Sequence, residues 1–580
     1  MNEPMIDDAA RAKAKDFVEN EKQFQLGFLP TECSNPITAT LEEDFRRSTL
    51  AGVQCLQRGD RQIAITMRHV FASPEFRSLV DSMAATLLRP PASRLPRIVF
   101  SGCGATGRLS ILLESMWRDF FHRRAAELTA DEARLADRVA SIMTGGDFAL
   151  IRSVEFFEDY AEGGRRQAAA LDVGECDTFV AITEGGETSS VLGSLAYAAE
   201  HGAKCYLVFN NPADLLRKHL DRCREAIDNP KVTVIDLYCG SMSVAGSTRM
   251  QATSSEQLLG SCALEAALCR IMPRFAPETA GDYTLAFESL LAGLESPGGR
   301  AGLVKAIDFE HSVYEAHGLV TYLADRCMLD LFTDNTERAP TFMIPPMRSS
   351  RERGASQSWA FVKNPLYPTE RCWSEMMRRH PRCLEFTSED ARSLGMPQSF
   401  VDSPPPIGYS DLLTYMIGNE PAPERIEGRS RAVAVTLTVG DMPGAFVEAA
   451  ERLAAAWPER VGFHVGRACS PAAAPDIHID MPIADSPLEV WKHLAVKLAF
   501  NCLSTGTMTA MGRVAGNWMS WVSMSNKKLI DRCIRLLAEL GHVGYEEAAQ
   551  RIFAAQAWVQ SQDWSKGEEP SPVQVALKAL

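Results

Sequence analysis

The sequence predicts an α/β protein: two doubly wound parallel-sheet units in tandem, closed by a C-terminal helical cap. Three observations carry this. Short apolar, β-branched runs alternate with stretches of helical periodicity, the pattern of a mostly parallel sheet covered on both faces. The alternation occurs twice, with five candidate strands each time, which suggests an internal duplication. Beyond Leu488 the strand signals fade and helical spacing continues.

In chain order, residues 1–90 read as a helical segment packing on the core. A polar lead-in holds one helix, a turn follows at Thr31-Glu32-Cys33-Ser34-Asn35-Pro36, and apolar residues such as Ile63, Met67, Val70 and Phe71 recur at helical spacing from Leu41 to about Leu88. Pro90-Pro91 breaks that pattern. The first sheet unit spans residues 91–275. Its strands are expected at Ile98–Ser101, Val139–Met143, Thr178–Thr183, Lys204–Asn210 and Val232–Leu237, with a closing helix from Ser254 to Met272. Pro273, Pro277 and Pro297-Gly298-Gly299 punctuate a boundary. The second unit, residues 290–487, places strands at Leu319–Asp325, Thr341–Ile344, Ala432–Val439, Val461–Val465 and Ile477–Ile483. An irregular insertion runs from Pro345 to Pro368, and Ser470–Pro475 has loop composition only. The cap, residues 488–580, carries helical patterns at Trp491–Met511 and Asn526–Gln560.

Composition narrows the function. Of 580 residues, 46% are hydrophobic and 23% charged, an ordinary soluble balance. The net charge of −14 argues against a dominant nucleic-acid surface, because phosphate backbones reward a basic face. Fifteen cysteines without a C-x-x-C pair read as reduced thiols in a cytoplasmic protein. The segment from Met1 to Gln25 lacks the apolar stretch of a signal peptide, and no run approaches a membrane span, so no membrane partner is expected. No metal or cofactor is expected either. His311 and His317 are too far apart around Glu315 to share a helix face as ligands, and no H-E-x-x-H, G-x-S-x-G or EF-hand string occurs.

The most informative stretch is Arg97 to Ser110, where a strand runs into Gly102-Cys103-Gly104-Ala105-Thr106-Gly107-Arg108 and opens a helix. Such a turn aims backbone N–H groups at an anion. As a dinucleotide fingerprint it wants a second strand ending in an acid about twenty residues on. Val139–Met143 comes later and ends in Thr144-Gly145-Gly146, so the fit is poor. A P-loop needs Lys and a hydroxyl after the last glycine, where this chain has Arg108 and Leu109. A phosphosugar loop remains. Two further hydroxyl-bearing loops, Thr183-Glu184-Gly185-Gly186-Glu187-Thr188 and Gly246-Ser247-Thr248-Arg249-Met250, also follow strand segments and precede helices. Any one of them reads as an N-cap. Three at strand ends of one unit read as a single anion site.

These strings, with Asn501-Cys502-Leu503-Ser504-Thr505-Gly506-Thr507-Met508, Thr31-Glu32-x-x-Asn35-Pro36-x-Thr38 and Ser525 to Arg532, resemble the sugar isomerase (SIS) domain group. Within it the likeness is to the N-acetylmuramic acid 6-phosphate etherases and the glucokinase regulatory protein. Etherases carry one such domain and dimerise; the regulatory protein carries two in tandem with a helical lid, and this chain has the tandem layout. The resemblance implies a phosphorylated sugar held by Gly104, Thr106, Gly107, Gly185, Gly186, Thr188, Ser247 and Thr248, with Lys528 as a compensating cation. Two departures stand out. The family's T-S-G-R is Ala105-Thr106-Gly107-Arg108 here, and its S-G-x-T is Gly185-Gly186-Glu187-Thr188, which brings Glu184 and Glu187 close to the expected phosphate.

The resemblance also implies two glutamates for acid–base work. One matches Glu158, in Glu155-Phe156-Phe157-Glu158-Asp159. The other would fall on Met116 in the first unit, yet its string reappears in the second as Asp334-Asn335-Thr336-Glu337-Arg338-Ala339-Pro340-Thr341-Phe342. The second unit's own loop, Leu323 to Leu329, has no glycine. The first unit thus keeps the loop and the second keeps Glu337, which suggests that the units pair within one chain around one composite site. An etherase-like lyase or an isomerase sharing its enolisation step is the expected activity. The alternative is a non-catalytic sugar-phosphate sensor that controls a partner kinase.

Overall fold

The computed structural model describes residues 4–91, 94–276, 282–441, 443–467, 475–564 and 568–580. Pro277 and, apart from Pro475, the Ser470–Pro475 loop lie outside them.

Among the described residues, ten strands form two five-stranded sheets, and Val514–Ala515 pairs with Trp518–Met519 in a small antiparallel ribbon. In the first, β1 (Ile98–Gly102), β2 (Val139–Met143), β3 (Thr178–Ile182), β4 (Lys204–Phe209) and β5 (Val232–Asp236) lie in the order β2-β1-β3-β4-β5, every neighbour parallel. In the second, β6 (Leu319–Leu323), β7 (Ala360–Lys363), β8 (Ala432–Val439), β9 (Glu459–Val465) and β10 (Ile477–Ile479) lie in the order β10-β9-β8-β6-β7, again all parallel. Read from the other edge, that order is β7-β6-β8-β9-β10, and the two units share one topology. Each has its switch point between its first and third strands, and a crevice opens there at the carboxyl ends. β1, β2, β3 and β6 are buried along their whole length, as continuous apolar runs in a two-sided parallel sheet should be.

The second unit departs from expectation at one strand. Thr341–Ile344 is not a strand: residues up to Phe342 belong to the helix Met328–Phe342, which carries Pro340 in its last turn and stops at Met343 in the left-handed region. That helix buries Leu331, Phe332, Asn335 and Phe342 and packs against the first unit's helix Gly104–Arg123. The missing strand is β7, four residues inside the segment expected to be irregular.

The helix Val490–Ala510 is buried almost all round, the mark of a helix inside a core. It lies between the units, against Gln251–Ile271 of the first and Pro297–Glu315 and Met328–Phe342 of the second. The outer helical layer is made by Lys527–Gly541, Tyr545–Ser561 and Pro572–Lys578, joined by the N-terminal helix Asp8–Asn20. Among the described residues no helix is long and apolar enough to cross a membrane, and every cysteine is a free thiol.

Candidate functional site

At the first unit's switch point, β1 ends in Gly102 and the helix Gly104–Arg123 begins at once. Gly104 stands at φ +55°, and a Cβ there would lie 3.9 Å from Glu337 Oε1. The first N–H groups of this long helix have no intrahelical acceptor and carry the positive end of its dipole. They open on a cavity of about 130 Å³. Cys103, Gly104 and Ala105 line it from one loop, Glu184 and Thr188 from the second, and Ser247, Thr248 and Arg249 from the third. Glu158, Glu337, Asn526, Lys528 and Arg532 complete the polar wall. Both expected glutamates and all three loops therefore border one space. The corresponding crevice of the second unit holds about 40 Å³ and is lined by Asp325, Arg326 and Cys327, which stand where the first unit has Gly104, Ala105 and Thr106.

Glu337 reaches this cavity from the second unit. Arg108, fully buried, donates Nη1 to Glu337 Oε1 and Nη2 to the Ala149 carbonyl at 2.8 Å. One helical turn before Glu337, Asp334 accepts from Arg249 Nη1 at 2.7 Å and from Ser504 Oγ at 2.6 Å. The Asn501 amide donates to the Arg249 carbonyl at 3.1 Å. The central helix thus fixes the third loop and the Glu337 helix together. Glu158 follows a short 3-10 turn, Glu155–Phe157, and not a helix face; its Oε1 accepts from Asn526 Nδ2 at 2.9 Å.

The N-terminal string braces the other side. Glu32 accepts from Arg532 at 2.9 and 2.7 Å and from Arg535 at 2.9 Å, while Thr31 accepts from the Asn211 amide at 2.9 Å and, through its carbonyl, from Gly246 N–H at 3.3 Å. Burial alone would raise the Glu32 carboxyl, but Arg532, Lys528 and Arg535 hold it far below the usual range.

Four expected ligand residues have other work. The Thr106 hydroxyl donates to the Cys103 carbonyl at 2.8 Å and accepts from Cys103 N–H at 3.0 Å, so it is spent in the helix cap. Gly107 is needed for packing: a Cβ would come within 2.9 Å of Met143 and 3.0 Å of the Gly102 carbonyl. Gly186, at φ +86°, faces Leu216 and Phe209, away from the cavity. Gly185 leaves room for its neighbour's side chain, since a Cβ would collide with the Glu187 carboxylate. Lys528 lines the cavity, but its Nζ lies 2.6 Å from Glu187 Oε1 and 3.9 Å from Glu32, so it is a paired cation. Thr188 remains well placed: its oxygen accepts from Thr183 at 2.9 Å, which leaves its proton for a ligand. Ser247 is buried, and its hydroxyl has no partner among the described residues. Sequence reasoning did not assign Arg108, Arg249, Asn526 or Arg532 to the site, although the first two stand inside the quoted glycine and hydroxyl strings.

These placements separate two substitutions. Ser247→Ala should weaken sugar-phosphate binding by about 1.5–3 kcal/mol, the worth of a hydrogen bond to a charged group. Thr106→Val should instead cost about 1 kcal/mol of stability through the lost cap, with little direct effect on the ligand. Titration calorimetry and thermal unfolding of both variants check the ranking.

A parallel-sheet crevice lined by three hydroxyl-bearing loops is the setting of SIS domains, and the family described as "Glucokinase regulatory protein N-terminal SIS domain" matches residues 78–199. Residues 78–199 thus match a SIS domain, and the chain resembles two kinds of relative: the glucokinase regulatory protein, through that match, and the N-acetylmuramic acid 6-phosphate etherases. It is 28% identical over 234 residues to N-acetylmuramic acid 6-phosphate etherase 1 of Bacillus licheniformis, covering 40% of this chain and 66% of that protein. To the etherase of Pseudothermotoga lettingae it is 29% identical over 234 residues, 40% of this chain and 68% of the relative. The chain therefore spans about two thirds of the length of these curated relatives. Among solved structures, tagatose-6-phosphate ketose/aldose isomerase from Escherichia coli aligns over 81% of this chain and 94% of its own, with TM-score 0.41 and 11% identity.

Proposed function

We propose that the cavity binds a phosphorylated sugar and that the chain is an enzyme acting on its open-chain form, with Glu158 and Glu337 sharing the acid–base work. One observation supports this above the rest: Glu337 of the second unit and the glycine turn of the first border the same cavity as Glu158. The two units then pair within one chain as two subunits would.

The chemistry needs little more. In the open-chain aldose the C2 proton is alpha to a carbonyl. A carboxylate accepts it, and the C–H electron pair moves into a C1–C2 enediolate. In an elimination that pair returns to expel the C3 oxygen, which takes a proton from the second carboxyl group, and water then adds at C3. In an isomerisation the proton returns at C1 instead, while the C2 hydroxyl gives its proton up to O1 and becomes the ketone. Either course requires two proton-transfer groups near one carbon and no hydride transfer. Phosphate binding falls to the helix N-terminus at Gly104, to Ser247, Thr248 and Thr188, and to the cation of Lys528.

The sensor reading has its own support. The matched SIS family is that of a regulatory protein, and Lys528 and Arg108 are both already paired with carboxylates. A panel of phosphorylated hexoses, amino sugars and sugar ethers, assayed for turnover and for thermal stabilisation, separates the two. Turnover of one of them is the expected result. Stabilisation without any turnover would establish the sensor.

A further inference from the structure

Four cationic side chains line the cavity, and each has a carboxylate partner: Arg108 with Glu337, Arg249 with Asp334, Lys528 with Glu187, Arg532 with Glu32. Glu184 lines the same cavity, and among the described residues no side chain donates a hydrogen bond to its carboxylate. Burial raises this carboxyl well above the ordinary range; Lys528 and a hydrogen bond from the residue's own backbone N–H oppose that, while Glu337 and Glu187 add to it. The raising influences win, and no side-chain donor meets this carboxylate among the described residues, so its negative charge is incompletely compensated by the protein alone. Independently, the hydroxyl of Ser247 and Nε of Arg249, both on residues more than nine-tenths buried, stand in the wall without partners among the described residues. Buried polar atoms left this way mark a cavity built for a polar ligand.

We propose that the sugar phosphate bound here carries a free amine, and that Glu184 is the carboxylate that receives its ammonium group. The inference rests on the phosphosugar reading above and narrows its substrate class. An ammonium supplies both N–H donors and the positive charge that Glu184 lacks, and charge-assisted hydrogen bonds of this kind are the strong ones. A hydroxyl or an N-acetyl group in the same place offers a donor without the charge. A ligand group bearing a further carboxylate would meet like charge at Glu184 and Glu187.

The test is titration calorimetry on the full chain at neutral pH with glucosamine 6-phosphate, N-acetylglucosamine 6-phosphate and glucose 6-phosphate. Glucosamine 6-phosphate should bind about tenfold or more tighter than the other two, the range that a hydrogen bond to a charged group supplies. In Glu184→Gln that ratio should fall to roughly twofold or less, while Glu184→Asp, which keeps the charge, should retain part of it. Equal affinity for the three ligands, tighter binding of the acetylated one, or a preference that survives Glu184→Gln would overturn the inference and leave the phosphosugar reading standing. Failure of all three to bind would overturn both.

Discussion

Glu337→Gln should lower turnover of the cognate sugar phosphate by about 10²–10⁴-fold, the usual worth of a positioned acid or base. The exchange is nearly isosteric, and Arg108 keeps an oxygen to donate to, so fold and ligand binding should survive. Glu158→Gln should have a similar effect. The double variant should be little worse than either single one, because residues acting as a unit are not additive. The alternative is that Asp334–Phe342 survives for packing alone, and parts of it do pack: Arg338 lies fully buried between Asp334 and Glu310 at 2.8 and 2.9 Å. Glu337 differs from Asp334 and Arg338 in lining the cavity, with 17% of its side chain exposed. Steady-state rates with unfolding midpoints measured alongside check the distinction. A Glu337→Gln protein with near wild-type turnover would remove the composite site.

The largest stability effect is expected at Glu32. This buried carboxylate holds Arg532 and Arg535 and ties the N-terminal segment to the helix that carries Lys528. Glu32→Gln leaves two buried guanidinium groups undercompensated, and loss of one partner from a buried ion pair typically costs about 3–5 kcal/mol. Chemical unfolding should show a midpoint lowered accordingly. The pH dependence follows from the sign of the shift. Because the folded carboxyl is held below its ordinary value of 4.5, the stabilisation is fully present above that value and is lost as pH falls beneath it. Wild type should therefore lose stability faster than Glu32→Gln on acidification below about pH 4.5. Equal acid sensitivity of the two proteins would show that the cluster contributes little.

Much of this site is written in local strings. The run from Ile98 to Arg108 announces strand, turn and helix in order, and the recurrence of Asp334–Phe342 in a unit without a glycine loop points to a shared site. What is not legible is where hydrogen bonds go once the chain is folded. Thr106 looks like a ligand hydroxyl in any alignment of strings, but a residue at the third position of a helix can equally close its own cap, and here it does. Gly107 and Gly186 look like phosphate-loop glycines, and their absent side chains instead make room for Met143, Leu216 and Phe209. From the sequence, Glu184 and Glu187 would repel a phosphate if they faced it, and are expected to point away from it or to contact sugar hydroxyls. Only the folded chain separates them, Glu187 against Lys528 and Glu184 against the cavity. β7 escaped notice for a simpler reason: four residues give too short a run to show periodicity among the turns around it.

Proton exchange at C2 is the step that an etherase-like elimination and an isomerisation have in common. Incubating the protein in deuterated buffer with the sugar phosphate that binds it best, and following the C2 proton by NMR, therefore tests the composite site without knowledge of the final product. Wild type should wash deuterium into C2, and Glu337→Gln and Glu158→Gln should not, while all three still bind the ligand. Binding without exchange in the wild type, or exchange that persists undiminished in Glu337→Gln, would contradict it.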